Sequence, residues 1–336
     1  MLKELSENNL LSINSLQTYF PTSKGLLKAV DRIHLYLRNQ EAVGLVGESG
    51  SGKSMTAFSI INLLPNPGRI FGGQIYFKGQ DLLKCSEKEM INIRGDQISM
   101  IFQDPLTYLN PTWRIKDQIA ETLFMHKKIT KKDAYINTIN LLKSVNIPAP
   151  ERVAHCYPHE LSGGMKQRAL IAMALACNPS LLIADEPTTA LDVTVQSQII
   201  DLLKDLMADY KTSLLLITHD LGIVSEICDR IYVMYAGRIV EEGDIYELFN
   251  EPLHPYTQGL LKSILSVDEF KEDLATIDGN VPDLTAPPLG CNFHPRCNLK
   301  IDICMQKHPS MISLGGKHTC ACWLYIDRDK NDNSGS

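Results

Sequence analysis

Long apolar runs, an excess of basic residues and internal repeats are all missing from the 336-residue chain. The best candidates for a membrane span, Ala169–Cys177 and Leu181–Ala184, are interrupted by 178–180 and fall short of the roughly 18 apolar residues required. The first ten residues lack the apolar centre of a signal peptide. With a net charge of −6, the chain lacks the overall excess of basic residues that is typical of nucleic-acid-binding proteins. We therefore expect a soluble, cytoplasmic protein that binds no nucleic acid and meets a membrane only through partners.

Cysteine is scarce in the first part of the chain and abundant at its end. Hydrophobic residues make up 44% of the sequence, enough for a sizeable core, and four scattered cysteines read as ordinary thiols. The other five crowd into the last 46 residues: Cys291, Cys297, Cys304, Cys320 and Cys322. Because no secretory signal is present, this group indicates metal binding more than disulfides. The composition also becomes rich in proline and histidine after about residue 250, which predicts a domain boundary there.

Hydrophobic patterning predicts an α/β fold with a parallel sheet. Residues 10–20 and 28–37 nearly alternate apolar and polar side chains, as in a half-exposed antiparallel sheet. Short apolar runs predict buried parallel strands at Ala42–Val46, Ile98–Phe102, Leu181–Ala184 and Ser213–Thr218. Residues 55–64 and the stretch around 195–206 have helical spacing, whereas 231–235 and 238–240 resemble a strand, turn and strand. Helical spacing with proline breaks between 104 and 160 predicts a helical insertion.

A glycine-rich segment between a predicted strand and a predicted helix matches the phosphate-binding pattern G-x-x-x-x-G-K-[ST]. Its residues are Gly47, Glu48, Ser49, Gly50, Ser51, Gly52, Lys53 and Ser54. The glycines allow the backbone N–H groups to approach phosphate oxygens, Lys53 supplies a positive charge, and the Ser54 hydroxyl suits Mg²⁺. The alternative is a glycine–serine turn with a surface lysine. Strand and helix stand where the motif needs them, so the pattern predicts a nucleoside triphosphate site.

Two further segments have residues suited to activating water and to binding anions. Asp185 and Glu186 end a buried strand, where the first can hold Mg²⁺ and the second can activate water, which favours hydrolysis over kinase chemistry. Ser162, Gly163 and Gly164 open an amphipathic helix and form a second anion-binding terminus. One ATP needs one such cradle, so the second implies the nucleotide of another chain. Read alone, these segments could be an acidic helix cap and a capped helix after a loop.

GESGSGKS, LSGGMKQR and LLIADEP, in this order, resemble the nucleotide-binding subunit of ATP-binding cassette (ABC) transporters over residues 10–250. The resemblance implies a P-loop NTPase (RecA-like) core, an N-terminal antiparallel β subdomain and a helical insertion subdomain. It makes Gln103 a contact to Mg²⁺ and the lytic water, His219 a contact to the γ-phosphate, and residues 190–192 part of a dimer interface. Phe20 best fits the aromatic that stacks on adenine, with Tyr19 as the alternative. Met55 stands where many relatives have Thr.

Segments around residues 100–111, 157–168, 251–261 and 281–297 resemble the dipeptide/oligopeptide importer branch, with Tyr108 replacing a usual Ser. The resemblance implies an ATPase that uses ATP and Mg²⁺ to energise peptide import. Its partners would be a second, non-identical ATPase subunit, two transmembrane permease subunits and an extracytoplasmic solute-binding protein, at the cytoplasmic face of the plasma membrane. A nickel or other solute importer remains an alternative. So do a non-transport ABC ATPase, a regulatory module without turnover and, more distantly, a small-molecule kinase.

The cysteine pattern also resembles this branch, through G-C-x-F-x-P-R-C with two later cysteines. The resemblance implies a [4Fe–4S] cluster on Cys291, Cys297, Cys304 and Cys322, whereas Cys320 stands at a usually hydrophobic position. Spacing alone leaves zinc, iron–sulfur or free thiols open, because four thiolates suit either metal group. We therefore expect a cassette at 8–250 with its helical subdomain at about 104–165, and a Cys-rich C-terminal extension at 251–325. A disordered tail is expected at 326–336.

Overall fold

The computed structural model describes residues 9–189, 191–268, 277–315 and 317–326. Within these ranges the side chains of residue 106 and residues 264–268 are left undescribed. The predicted tail at 326–336 therefore lies outside the described residues, except for Ile326, which is helical. Among the residues described, no helix is both long and apolar enough to cross a membrane.

A four-stranded antiparallel sheet forms the N-terminal part of the fold. Its strands are β1 (Asn9–Thr22), β2 (Gly25–Arg38), β4 (Arg69–Phe77) and β5 (Gln80–Asp81), in the order β2-β1-β4-β5. Leu11 pairs with Leu37 on one side and with Phe77 on the other. These apolar partners are buried, so the alternating pattern correctly predicted an antiparallel sheet at 10–20 and 28–37.

A second sheet of eight strands runs through the centre of the chain. Its strands are β3 (Ala42–Val46), β6 (Ile98–Ile101), β7 (Leu181–Asp185), β8 (Ser213–Thr218), β9 (Arg230–Tyr235), β10 (Arg238–Asp244), β11 (Ile312–Ser313) and β12 (Thr319–Cys320), in the order β11-β12-β10-β9-β3-β8-β7-β6. The five strands from β9 to β6 in this order are parallel, as predicted, and β10 is antiparallel to β9. The two shortest strands come from the C-terminal part and extend the sheet beyond β10.

Helices connect the strands and cover the central sheet. They are α1 (Lys53–Ile60), α2 (Glu87–Ile93), α3 (Pro105–Tyr108), α4 (Ile115–His126), α5 (Lys131–Ser144), α6 (Pro150–Val153), α7 (Gly163–Leu175), α8 (Val193–Tyr210), α9 (Leu221–Ile227), α10 (Ile245–Asn250), α11 (Pro255–Asp268) and α12 (Trp323–Ile326). Helices α3 to α6 lie between β6 and β7, where the insertion was predicted. The helix predicted at 55–64 ends at Ile60, because Asn62 takes a left-handed φ of 50° and Pro65 follows.

Apolar side chains pack on both faces of the central sheet. Leu45, Ile183 and Ile217 belong to one buried cluster. Their chain neighbours Val46, Ala184 and Leu216 belong to the other. Alternate residues of a strand point to opposite faces, so strands that are apolar throughout fit a sheet covered on both sides. In open α/β sheets ligands bind at the carboxyl ends of such strands, and β3, β7 and β8 end together here.

The C-terminal part attaches to β10 with little regular structure of its own. In the described segment 277–311 the only regular element is a 3₁₀ turn at Asp302–Met305. Glu241 of β10 is fully buried and accepts hydrogen bonds from the N–H groups of Leu253 (2.7 Å) and His254 (2.9 Å). The domain boundary predicted near residue 250 stays a prediction. The strand β10 precedes this position, and residues 253–254 after it are hydrogen-bonded to β10.

Candidate nucleotide site

The phosphate loop connects β3 to α1 through backbone conformations that need glycine. Gly52 has a φ of 108°, and a Cβ there would overlap the carbonyl oxygen of Ala29. Gly50, with a φ of 78°, has open space around it. The loop is therefore packed tightly against the sheet at Gly52 while Gly50 faces free space.

Lys53 begins α1 and is almost completely buried beneath the loop. Its ammonium donates hydrogen bonds to the carbonyl oxygens of Gly47 (2.7 Å) and Glu48 (2.9 Å). Burial lowers the pKa of Lys53, while the nearby carboxylates of Glu186 and Asp185 act in the opposite direction. The site therefore combines a desolvated cation with two acidic groups at the end of β7.

A cavity of about 710 Å³ opens beside the loop, within the size range of small-molecule sites. Of the predicted residues, Phe20, Ser49, Gly50, Gly52, Lys53, Ser54, Met55, Gln103 and Glu186 line this cavity. Leu27, Pro65 and Pro67 add apolar walls near Phe20, and Leu284 comes from the C-terminal part. The alternative aromatic, Tyr19, instead turns its hydroxyl to Asp31 at 2.7 Å. Of these two aromatic residues, Phe20 is the one that lines the cavity.

Asp185 and Ser54 place a carboxylate and a hydroxyl side by side next to the phosphate loop. The Ser54 hydroxyl donates to Asp185 Oδ1 at 3.0 Å. Burial raises the pKa of Asp185 to about 6, although the Ser54 hydrogen bond opposes this shift. A hydroxyl and a carboxylate beside a phosphate loop fit Mg²⁺, whose hard charge prefers oxygen ligands.

Glu186 follows β7 and is held by three side chains. Its Oε2 accepts hydrogen bonds from Gln103 Nε2 and Thr189 Oγ1, both at 2.8 Å, and its Oε1 lies 3.2 Å from His219 Nδ1. Burial alone would raise the pKa of Glu186, but the hydrogen bonds from Thr189 and His219 outweigh it and lower the pKa. Glu186 also adopts a left-handed φ of 47°, which turns it out of the strand direction. The carboxylate is therefore ionised and fixed at the cavity.

The three residues of the second anion-binding terminus lie away from this cavity. Ser162 caps α7 by accepting a hydrogen bond from the Met165 N–H at 3.3 Å, and Gly163 and Gly164 form the first turn. None of the three lines the cavity beside Lys53. In the predicted interface segment 190–192, residue 190 lies outside the described residues, while Asp192 caps α8. Within a single chain, the start of α7 is therefore separate from the cavity beside the phosphate loop.

Three residues of the phosphate motif face the protein instead of the cavity. Gly47 packs against the Met234 carbonyl, and Ser51 is buried. Glu48 points to the C-terminal part, where Arg296 Nη1 donates to its carboxylate at 2.8 Å. The Glu48 N–H donates to the Tyr256 hydroxyl, also at 2.8 Å. The prediction that Glu48 contacts the nucleotide stays a prediction, and in this structure Arg296 engages its carboxylate while Tyr256 engages its N–H.

Four cysteines predicted as ligands share one small cavity in the C-terminal part. Cys291, Cys297, Cys304 and Cys322 all line it, and the Cys291 N–H donates to the Cys304 carbonyl at 2.8 Å. Cys320 is instead buried in β12 opposite Glu241. Within the described part of the chain, no three His, Cys, Asp or Glu side chains are grouped closely enough to hold a single metal ion.

Protein-family models match both the cassette and the Cys-rich part of this chain. The family described as ABC transporter matches residues 30–189. The family described as oligopeptide/dipeptide transporter, C-terminal region, matches residues 240–304. The two matches cover the phosphate loop with its acidic strand end and most of the Cys-rich part.

Individual proteins are similar over almost the entire chain. The oligopeptide transport ATP-binding protein AppD of Bacillus subtilis is 48% identical, covering 95% of this chain and 97% of that protein. The dipeptide transport ATP-binding protein DppD of the same organism is 47% identical, covering 95% of both. A dimeric post-hydrolysis structure of the ATP-binding cassette MJ0796, bound to ADP and phosphate, is 26% identical with a TM-score of 0.64. That match covers 70% of this chain and 98% of the solved one. The chain therefore belongs to the ABC transporter family, in its group of oligopeptide and dipeptide transport ATP-binding proteins.

Proposed function

We propose that this chain is the ATP-hydrolysing subunit of a complex that imports dipeptides or oligopeptides. The observation that carries the proposal is the convergence of Lys53, Ser54 and Glu186 on one cavity, with Asp185 hydrogen-bonded to Ser54, in a chain that also has the peptide-transporter C-terminal region. Similar proteins named for oligopeptide and dipeptide transport support the same cargo class.

In the proposed reaction each residue has one task. The N–H groups of the phosphate loop and Lys53 bind the β- and γ-phosphates, and Phe20 stacks on the base. Ser54, Asp185 and Gln103 would hold Mg²⁺, which supplies positive charge to the phosphate oxygens when bound. Glu186 accepts the proton of the attacking water, and the direction of its pKa shift keeps its carboxylate ionised. His219 orients this carboxylate.

Hydrolysis in this proposal needs a second ATPase subunit. Ser162, Gly163 and Gly164 lie away from the cavity of their own chain, so they are free to bind the γ-phosphate held by a partner. A related but non-identical subunit would complete two composite sites. The γ-phosphate then favours the closed pair because it contacts both subunits, and its release reopens them.

The helical insertion is the proposed contact with a transmembrane permease subunit. Tyr108, Trp113, Phe124 and Met125 expose between 40% and 65% of their surface there. Several large apolar side chains exposed on one subdomain favour an interaction surface. The chain would thus sit at the cytoplasmic face of the membrane, while an extracytoplasmic solute-binding protein delivers the peptide. No peptide site is needed in this chain.

The C-terminal extension at 251–325 is proposed to hold a [4Fe–4S] cluster on Cys291, Cys297, Cys304 and Cys322. Support comes from the single cavity that these four share and from the exclusion of Cys320. Zinc is the alternative, because four thiolates suit either metal group. The cluster would act structurally.

Reconstitution tests the cargo. The chain would be assembled with its second ATPase subunit and two permeases in liposomes, together with the solute-binding protein. We expect ATP-dependent uptake of a labelled di- or oligopeptide and stimulation of phosphate release by the loaded binding protein. Uptake of nickel but not of peptides would overturn the peptide cargo, and phosphate release without any transported solute would overturn an importer.

A further inference from the structure

We propose that the C-terminal extension contributes directly to nucleotide binding. Tyr256 and Arg296 form a brace, defined by these two residues, that fixes Glu48 in the phosphate loop and thereby raises nucleotide affinity. The inference rests on ATP binding by this chain and adds a second region to the site. Sequence patterns assign both residues to the extension, far from the loop along the chain.

The brace holds Glu48 at two different atoms. The Tyr256 hydroxyl accepts a hydrogen bond from the Glu48 N–H at 2.8 Å, which fixes the backbone. Arg296 Nη1 donates to the Glu48 carboxylate at 2.8 Å, which fixes the side chain. Contacts at both backbone and side chain leave this loop residue little freedom to rotate.

Arg296 is itself anchored and cannot follow a moving loop. Its side chain is only 6% exposed. Its Nε and Nη2 donate to the carbonyl oxygens of Asp278 and Ile277, both at 2.8 Å. The planar guanidinium therefore uses its rigid fork of donors to join the extension backbone to Glu48.

Tyr256 is held equally firmly. It is fully buried at the start of α11, and its N–H donates to His254 Nδ1 at 3.1 Å. Its ring packs against Tyr235 and Phe293, with centroid distances of 4.6 and 5.5 Å. Aromatic packing of this kind fixes the hydroxyl position, so the loop meets a rigid surface.

The braced residue is directly connected to the catalytic lysine. The carbonyl of Glu48 accepts one of the two hydrogen bonds that hold the Lys53 ammonium. Leu284 of the extension also lines the cavity, and its carbonyl accepts a hydrogen bond from the Lys28 N–H at 3.1 Å. The extension thus contacts the site at the phosphate loop and at the cavity wall.

A braced loop loses less conformational entropy when it binds a nucleotide, so affinity rises. This predicts weaker binding of both ADP and ATP when the brace is broken. Turnover at saturating ATP should change little, because a bound nucleotide and the second subunit then hold the loop. The expected signature is a raised KM with a nearly unchanged kcat.

The test measures dissociation constants of ADP and Mg-ATP for the full-length chain by calorimetry. We expect Arg296→Gln to weaken binding about tenfold and Glu48→Gln to weaken it less, while the double variant matches Arg296→Gln alone. Arg94→Gln is the matched control, because Arg94 also joins two backbone carbonyls to a glutamate, Glu87, but does so away from the loop. It should stay within about twofold of the wild type.

The outcomes separate the brace from the proposed function. A wild-type chain that binds no nucleotide would reject ATP binding itself. Wild-type affinity in Arg296→Gln, or strictly additive effects in the double variant, would overturn the brace alone. Should Arg296→Gln fail to fold, Tyr256→Phe keeps the ring and removes one hydroxyl. Unchanged affinity in that variant would overturn the brace as well. In the assembled complex, the ATPase kinetics of the variant should show a raised KM with a nearly unchanged kcat.

Discussion

The cassette and the C-terminal extension are built by different means. In the cassette the chemical groups stand at the ends of strands, as Asp185 does at the end of β7, and backbone pairing in two sheets fixes them. The described segment 277–311 of the extension has almost no regular structure. The extension is held to the cassette by polar side-chain contacts, above all those of the buried Glu241 with His254 and His318 and that of Arg296 with Glu48.

This difference teaches where single substitutions act. A side chain at a strand end can be changed without loss of the backbone pairs that place it, so the expected loss is chemical. A buried polar side chain that holds an irregular segment leaves unpaired donors when it is replaced, so the expected loss is structural. The predictions below test this contrast.

The largest effect is expected in the cassette, from Glu186→Gln. Removing the base should reduce phosphate release by roughly two to four orders of magnitude, because proton transfer in the transition state is lost. ATP binding should persist and the closed pair should accumulate. The measurements are phosphate release by the assembled complex and the elution volume of an ATP-bound pair. Glu151→Gln, at a surface carboxylate paired with Lys143, is the control, and near-normal hydrolysis in Glu186→Gln would reject the assigned base.

In the extension, Cys291→Ser should remove the cluster and loosen the segment around it. Anaerobically purified wild type should absorb in the brown iron–sulfur region and contain about four irons per chain. The variant should lose this iron and several kcal/mol of the stability that metal binding couples to folding. Cys320→Ser is the matched control, because Cys320 lies in β12 outside the shared cavity. Zinc as the sole metal, or equal iron loss in both variants, would contradict the assignment.

Much of the cassette was predictable because its signals are local. The apolar runs correctly predicted the positions of β3 and β7, and the serine–glycine sequence correctly predicted the start of α7. The resemblance favoured Phe20 over Tyr19, and Phe20 does line the cavity, but the local pattern alone does not predict the irregularity in the β1 register between Thr18 and Phe20.

The role of Glu48 could not be predicted for a different physical reason. Its position in the motif suggests a phosphate contact, but its partners Tyr256 and Arg296 are more than two hundred residues away. Only folding brings them together, so no local pattern carries this information. The family resemblance pointed to the segments that contain them without assigning them to the nucleotide site.

The junction between the two regions is expected to depend on Glu241. Glu241→Gln places an amide group where the carboxylate now accepts hydrogen bonds from Leu253, His254 and His318. The buried donors left unpaired should cost about 2–3 kcal/mol of unfolding free energy. Urea unfolding measures this loss, and hydrogen exchange should locate it at 253–254 and 318–320. Glu251→Gln, an exposed carboxylate near the same junction, should have no such effect, and equal losses in both variants would argue against a buried junction.

The smallest effect is expected at Asp31, which makes a similar side-chain junction inside the cassette. It accepts hydrogen bonds from the Tyr19 hydroxyl at 2.7 Å and from Arg238 Nη2 at 2.5 Å. Burial alone would raise the pKa of Asp31, but these two contacts outweigh it and hold the pKa below its ordinary value of 3.8. Because the folded state lowers this pKa, the stabilisation is present above pH 3.8 and is lost as the pH falls through the folded-state value.

Asp31→Asn should therefore cost about 1 kcal/mol at pH 7, and urea unfolding should show the same cost down to about pH 5. Below pH 3.8 the wild type and the variant should converge as the carboxylate becomes protonated. The loss stays below that of Glu241→Gln because both partners of Asp31, Tyr19 and Arg238, lie in paired strands, whereas residues 253–254, which Glu241 holds, lie outside the sheets. An equal or larger loss in Asp31→Asn would mean that side chains, and not the sheet, hold the cassette together, and the contrast between the two regions would fail.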